Sequence, residues 1–173
     1  MNLFLNQLIN GLHVGSIYAL IALGYTMVYG IVKLINFAHG DILMIGAYTA
    51  VVTLISLNWS APAALLAAIL ACVLFGVLIE RVAYKPLRKS PRISSLITAI
   101  GVSMLLQNAA LLIFGAQSRP FPTVLQVEPL RFLGLQISFI TVLTVLVSGA
   151  LMVILQLFVK TSKAGKAMRA ASE

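Results

Sequence analysis

The sequence contains very little charge, because only 9% of its 173 residues are Asp, Glu, Lys or Arg. An ordinary soluble domain has about 25%. Acidic side chains are the scarcest, with four in the chain against twelve Lys and Arg. So few charges cannot cover a water-soluble particle of 18.5 kDa. With 61% hydrophobic residues and a mean hydropathy of +1.05, the composition excludes a soluble globule and favours a membrane protein.

Residues that carry covalent or metal chemistry are also rare. The single cysteine, Cys72, excludes an internal disulfide and a cysteine metal cluster, and its apolar surroundings favour a packing role. The two histidines, His13 and His39, are too few for a catalytic metal site without other clustered ligands. No complete phosphate-binding loop or nucleophile elbow is present. The sequence therefore predicts no metal, no cofactor and no catalytic residue.

Five segments are long and apolar enough to cross a bilayer. A helix needs about 20 residues to span a hydrocarbon core about 30 Å thick. The segments cover residues 3–32, 40–57, 61–83, 93–116 and 137–159. They lack the apolar and polar alternation of barrel strands, which favours helices. We therefore expect an all-α, polytopic transmembrane helix bundle of about five spans, forming one domain over residues 1–173.

The basic residues lie at the ends of the apolar segments and not on a face that could bind nucleic acid. Apart from Arg119 and Arg131, they fall between the first and second segments, between the third and fourth, or after the fifth. The positive-inside rule then places the N-terminus outside and gives five crossings. The outer segment 117–136 contains three prolines, so we expect it to be irregular.

Small residues recur every four positions on two of the segments, which places them on one helix face. Small side chains let helix backbones approach closely in a membrane, so these faces predict helix packing. They are Gly11, Gly15 and Ala19 on the first segment, and Ala64, Ala68, Cys72 and Gly76 on the third.

A polar cluster, Asn36, His39 and Asp41, precedes the second segment at its expected inner end. In a structural interpretation, Asn36 caps the helix, and the helix dipole and Lys33 stabilise Asp41. In a functional interpretation, the three residues line the inner gate of a translocation pathway, because ionisable groups in membranes usually face a cavity or a partner. The shallow depth that we expect here favours the structural interpretation.

The segment 161–173 mixes basic and small residues at helical spacing. This pattern predicts a short helix that lies on a partner protein or on anionic lipid. It continues to the last residue without a closing glycine or proline, so we expect the natural protein to be longer.

Several short motifs follow one another along the chain in a specific order. They are GSIYALIALGYTMVYG at 15–30, INFAHG at 35–40, MIGAY at 44–48, ERVAYKPLR at 80–88, LQN at 106–108 and GKAMRA at 165–170. Together they resemble LivH-type permeases, the inner-membrane subunits of ABC importers for branched-chain amino acids. The resemblance covers most of the chain, which would be somewhat over half of a family member and would end inside a cytoplasmic coupling loop.

The resemblance implies a multi-pass subunit of the bacterial inner membrane that has no ATPase site of its own. Its implied partners are a second homologous permease, two cytoplasmic ABC ATPases, a periplasmic or extracellular binding protein and membrane lipid. The residues implied in ATPase coupling are Lys163, Gly165, Lys166, Met168 and Arg169. Those implied in binding-protein contact are Arg119, Glu128 and Arg131.

Three alternatives stay open at this point. A permease of the same family could carry urea or short amides. A secondary transporter or channel would need no ATPase. An intramembrane enzyme would have to use His39 and Asp41, although the missing motifs disfavour it.

Overall fold

The structure is a computed structural model that describes residues 2–32, 36–87, 90–117, 121, 130–132 and 135–172. The α-helices are α1 (Asn2–Val32), α2 (His39–Ile55), α3 (Ala61–Ile79), α4 (Arg92–Phe114), α5 (Phe139–Thr161) and α6 (Lys163–Ser172). Between α3 and α4, a π-helical turn (Glu80–Tyr84) and a 3-10 turn (Lys85–Leu87) continue α3.

Four of the helical segments are long and apolar enough to cross a membrane. They are Leu3–Gly30, Ala61–Leu87, Ile93–Phe114 and Phe139–Thr161. The second predicted span is a shorter apolar helix, α2, whose 17 residues extend about 25 Å. That length is at the lower limit for a spanning helix. The predicted all-α, polytopic fold class is confirmed, and the chain is a multi-pass membrane protein.

A small β-hairpin lies within the segment that we expected to be wholly irregular. Strand β1 (Leu130–Phe132) pairs antiparallel with β2 (Leu135–Ile137), with Leu130 opposite Ile137 and Phe132 opposite Leu135. Prolines disrupt a strand only where they remove a ladder hydrogen bond, and those of this segment all precede β1. The expectation was therefore wrong for the last part of the segment.

One compact unit of the chain comprises α1, the β-hairpin, α5 and α6. Within it, α1 contacts α5, α6 and β2, and α6 contacts α5. The small-residue face of α1 is not a helix contact among the described residues, since Gly11, Gly15 and Ala19 are exposed. The prediction of close packing is therefore not met for this face.

The second compact unit comprises α2, α3, the two turns and α4. Here α2 packs closely along α3. A Cβ atom built on Gly46 would lie 2.5 Å from the Sγ of Cys72 and 3.8 Å from the carbonyl oxygen of Ala68. Ala64 on the same face of α3 is buried. This small-residue face is a helix contact, as its spacing predicted.

The apolar core of the second unit forms around the start of α2. Ala38, directly before α2, is fully buried and clusters with Ile79 at the end of α3 and Leu106 on α4. Near the middle of α2, the ring of Tyr48 stacks on that of Phe114 at the end of α4, with centroids 4.1 Å apart. These contacts fix α2 against both neighbouring helices.

The close approach at Gly46 gives a test of this packing. Gly46→Ala would place a methyl group against Cys72, and overpacking of this kind costs about 1–3 kcal/mol of unfolding free energy. We expect a lower unfolding temperature for the full-length variant in detergent, and recovery when Cys72→Ala removes the opposing sulfur. Gly101→Ala is the control, because a Cβ there meets nothing within 4 Å. A double variant no more stable than Gly46→Ala alone would contradict this explanation.

Candidate functional site

The side chain of Asn36 organises the entry to α2. Its Oδ1 accepts a hydrogen bond from the backbone N–H of Ala38 at 3.0 Å and another from the hydroxyl of Tyr84 at 2.8 Å. The N-cap of α2 is Ala38, so Asn36 is not the capping residue that we expected. It forms a turn before the helix and joins that turn to the end of α3. His39, the first residue of α2, is half-buried.

Asp41 is a buried carboxylate in the first turn of α2. Its side chain is 7% exposed, and its Oδ1 accepts a hydrogen bond from the Nε2 of Gln107 on α4 at 3.0 Å. Its Oδ2 is buried without a hydrogen-bond partner among the described residues. The same Gln107 nitrogen also donates to the hydroxyl of Ser103 at 3.1 Å. We did not predict Gln107 or Ser103 as site residues, although LQN at 106–108 is a motif of the family that the chain resembles.

Asp41 is the third residue of α2, whereas its partner Gln107 lies well inside α4. At 1.5 Å per residue, Asp41 is about 21 Å along α2 from Ile55. Gln107 is about 22 Å along α4 from Arg92 on the same measure. Although Asp41 lies at the start of α2, it therefore pairs with a residue inside the span Ile93–Phe114 and not at the end of that span. Ionisable groups inside a membrane are costly and usually face a cavity or a partner, and the partner of Asp41 is Gln107.

A cleft of about 530 Å³ opens beside this pair. This volume is within the range of about 300–1,000 Å³ that small-molecule sites occupy. Gln107 contributes the polar wall next to Asp41. The remaining lining is mainly apolar: Met44, Ala47, Tyr48, Val51, Ala110, Leu111, Gly115, Ala116, Gln117 and Phe121.

A second cavity of about 310 Å³ also lies between α2, α3 and α4. It is lined by Thr49 and Thr53 together with apolar side chains that include Phe75 and Ile113. Both threonine hydroxyls donate to backbone carbonyl groups of α2 itself, so they are already satisfied. This cavity has the character of an apolar packing space, whereas the larger cleft combines apolar walls with a polar end.

The π-helical turn at Glu80–Tyr84 is a feature that we did not predict. Its wider geometry carries Tyr84 to Asn36, and the N–H of Lys85 donates to the carbonyl group of Glu80. Pro86 is the signal that could have indicated it. Proline has no N–H and clashes with the carbonyl group four residues earlier, so the helix cannot continue in regular form to that position.

The first turn of α6 is fixed to the end of α5 by Ser162. The Ser162 N–H donates to the carbonyl group of Phe158 at 2.9 Å, which closes α5. Its hydroxyl oxygen accepts the N–H of Gly165 at 2.9 Å, which caps α6. Gly165 itself is buried, and a Cβ built there would overlap the backbone of Val159. Only glycine therefore permits this close turn between the helices.

The residues expected to contact an ATPase all lie on α6, which is the short helix that their spacing predicted. Lys163 and Lys166 are exposed, Met168 is half-buried and Arg169 is described only by its position in the helix. Of the residues expected to contact a binding protein, Arg119 and Glu128 lie outside the described residues. Arg131 is described by its position in β1, opposite Gln136. Lys33, expected near Asp41, also lies outside the described residues.

No three His, Cys, Asp or Glu side chains come together as a metal site within the part of the chain that the structure describes. The polar groups brought together at the centre of the second unit are instead Asp41, Gln107 and Ser103. This arrangement can accept and donate hydrogen bonds and can attract a cation, but it contains no nucleophile paired with a base.

Comparison with known proteins finds relatives over almost the whole chain. The family described as branched-chain amino acid transport system / permease component matches residues 7–173. BraD of Pseudomonas aeruginosa, a high-affinity branched-chain amino acid transport system permease protein, is 45% identical over 185 residues, covering 98% of this chain and 59% of BraD. LivH of Salmonella typhimurium and LivH of Escherichia coli K12 carry the same description and are each 39% identical, with the same coverage. The chain thus spans 59% of the length of these relatives. No solved structure gives a significant match.

The role of Ser162 as the cap of α6 can be tested directly. Ser162→Ala removes the acceptor for the Gly165 N–H, and loss of such a cap costs about 1 kcal/mol. We expect faster hydrogen exchange at the amides of the first turn of α6 in the full-length protein. Thr161→Ala is the matched control, because the Thr161 hydroxyl donates to the carbonyl group of Leu157 in α5 and does not cap α6. Equal exchange in the two variants would contradict the assignment.

Proposed function

The chain belongs to the family of permease components of branched-chain amino acid transport systems, and from this we propose that the whole protein imports branched-chain, aliphatic amino acids. The observation that carries the proposal is the family match over residues 7–173. The apolar helices and the cleft beside a buried carboxylate are consistent with a transport pathway and not with bond-making chemistry. Its role is to provide the pathway and to transmit force.

We propose that transport is driven by ATP that other subunits hydrolyse. The family is described as the permease component of a transport system, which supports an energy source on other subunits. The proposed assembly lies in the bacterial inner membrane. It contains a second homologous permease, two cytoplasmic ABC ATPases and an external substrate-binding protein, and residues 1–173 form part of one permease domain.

The translocation pathway is proposed to pass the polar residues at the start of α2, which are Asn36, His39 and Asp41. Support comes from the burial of Asp41 and from the cleft that its partner Gln107 lines. Alternating access would require these groups to face each side of the membrane in turn. Asn36 is tied by Tyr84 to the π-helical turn, so a movement of that turn acts on the start of α2.

Coupling to the ATPases is proposed to occur through α6. Its exposed Lys163 and Lys166 provide positive charge, and the helix packs on α5 and α1, so force on α6 reaches two long helices. Gly165, Met168 and Arg169 complete the proposed contact. On the outer side, Arg119, Glu128 and Arg131 are proposed to contact the binding protein, because they supply the charge of the segment between α4 and α5.

The proposed substrate is tested by uptake in cells that lack the gene, with and without the full-length reading frame restored. We expect restored uptake of labelled leucine that excess valine blocks, because both carry a branched aliphatic side chain. Depletion of ATP should abolish uptake. Uptake of labelled urea in place of leucine would overturn the substrate assignment. Leucine uptake that follows an ion gradient and ignores ATP would overturn the importer mechanism.

The proposed coupling role is tested by Gly165→Ala in the full-length protein. The added methyl group would overlap the backbone of Val159, and relief of an overlap that costs about 1–3 kcal/mol would displace α6. We expect leucine uptake to fall about tenfold, the change that roughly 1.4 kcal/mol produces, while the protein still inserts into the membrane.

The matched control for this variant is Gly149→Ala in α5, where a Cβ meets nothing within 4 Å. The amounts of both variants in the membrane are measured alongside uptake and ATP hydrolysis. Hydrolysis that continues while uptake falls would mark uncoupling. Normal uptake by Gly165→Ala would remove the coupling assignment.

A further inference from the structure

We propose that the 530 Å³ cleft beside Asp41 and Gln107 binds a primary ammonium group attached to a branched aliphatic chain. Under the proposed function, on which this inference rests, that ligand is the transported amino acid itself. The site would hold the ammonium group at its polar end and the aliphatic side chain along its apolar walls. Gln107 is the contact residue, and Asp41 is the counter-charge behind it.

The orientation of the Gln107 amide follows from its two hydrogen bonds. Its nitrogen donates to Asp41 at 3.0 Å and to Ser103 at 3.1 Å, and an amide nitrogen has only two hydrogens to donate. Its carbonyl oxygen is therefore directed away from both acceptors. Since Gln107 is exposed and lines the cleft, this oxygen is the group that can accept a hydrogen bond from a ligand.

The charge of Asp41 selects a cationic ligand. The carboxylate is more than nine-tenths buried, and its Oδ2 has no hydrogen-bond partner among the described residues. A buried carboxylate without a complete set of partners is costly, and a cation nearby lowers that cost. Gln107 donates to Asp41 and also lines the cleft, so an ammonium group bound to the Gln107 oxygen would be separated from the carboxylate by one side-chain amide.

The end of α4 makes the same cleft more attractive to a cation. Gly115, Ala116 and Gln117, which follow α4 directly, line it. The last carbonyl groups of a helix have no partners within the helix, and the negative end of its dipole lies there. None of the cleft-lining residues that the structure describes is basic. The negative end of the α4 dipole therefore favours an ammonium group over a carboxylate at this position.

The apolar walls define the rest of the ligand. Met44 and Val51 on α2 and Leu111 on α4 line the cleft, with the ring of Tyr48 beside them. Tyr48 is held in place by its stacking on Phe114, so this wall is preformed. Flexible Met and branched Val and Leu side chains suit a branched aliphatic group of the size found in leucine or isoleucine.

The test measures ligand binding to the full-length permease in detergent by the shift of its unfolding temperature. Three probes separate the parts of the ligand: leucine, 3-methylbutylamine, which lacks the carboxylate, and 4-methylpentanoate, which lacks the ammonium group. We expect leucine and 3-methylbutylamine to raise the unfolding temperature and 4-methylpentanoate to leave it unchanged. An equal shift with 4-methylpentanoate, or no shift with either amine, would overturn the proposal.

Two neighbouring substitutions on α4 locate the site. Gln107→Leu removes the contact residue, whereas Asn108→Leu makes the same kind of change at an exposed position whose side chain donates to Met104 and does not line the cleft. We expect Gln107→Leu to lose the shift with both amines, Asp41→Asn to weaken it, and Asn108→Leu to retain it. Retention by Gln107→Leu would place the ligand elsewhere.

Leucine uptake separates this inference from the proposed function. If the wild-type protein restores uptake and Gln107→Leu lowers it about tenfold or more, both the ammonium site and the proposed importer function are supported. If the wild-type protein and Gln107→Leu take up leucine equally, the site is wrong and the importer assignment is kept. If the wild-type protein takes up no leucine but still binds 3-methylbutylamine through Gln107, the ammonium site stands and the substrate assignment fails.

Discussion

A carboxylate held inside an apolar helix bundle is the constraint on which the second unit depends. Asp41 is only 7% exposed, so its carboxylate needs a polar partner within the protein, and Gln107 on α4 is that partner. This contact fixes the position of the start of α2 along α4. The apolar cluster of Ala38, Ile79 and Leu106 and the ring stack of Tyr48 on Phe114 then fill the space on either side. The cleft is the space left between α2 and α4 next to Gln107.

The same need for buried polar groups to be hydrogen-bonded joins the start of α2 to the end of α3. Backbone and side-chain donors buried near lipid must find partners within the protein. The oxygen of Asn36 satisfies two donors, the Ala38 N–H and the Tyr84 hydroxyl, and the π-helical turn brings Tyr84 within reach. In the other unit, Ser162 has a comparable double role, since its N–H closes α5 while its hydroxyl opens α6. Both junctions use a single short polar side chain to join two elements.

Much of this architecture could be read from hydrophobic segments alone. A charge-free apolar run is expelled from water wherever the rest of the chain lies, so α1, α3, α4 and α5 were predictable, as was α6 from its basic and small residues. The close contact of α3 with α2 followed from the spacing of Ala64, Ala68 and Cys72. The exposed face of Gly11, Gly15 and Ala19 shows the limit of predicting helix contacts from sequence. The spacing of small residues identifies a face suited to packing but does not identify the helix that packs on it.

The sequence by itself determined the membrane environment, the helical class and the family resemblance, and it identified the polar residues Asn36, His39 and Asp41. These depend only on composition and on the local order of residues. Only the tertiary structure decided the burial of Asp41 and its pairing with Gln107, 66 positions away in the chain. It also decided the widening of the helix at Glu80–Tyr84 and the need for glycine at 165, where α6 meets the backbone of Val159. The reason is physical: partners for a buried polar group, and the space left for a side chain, depend on how far one helix slides along another, and no local pattern records that displacement.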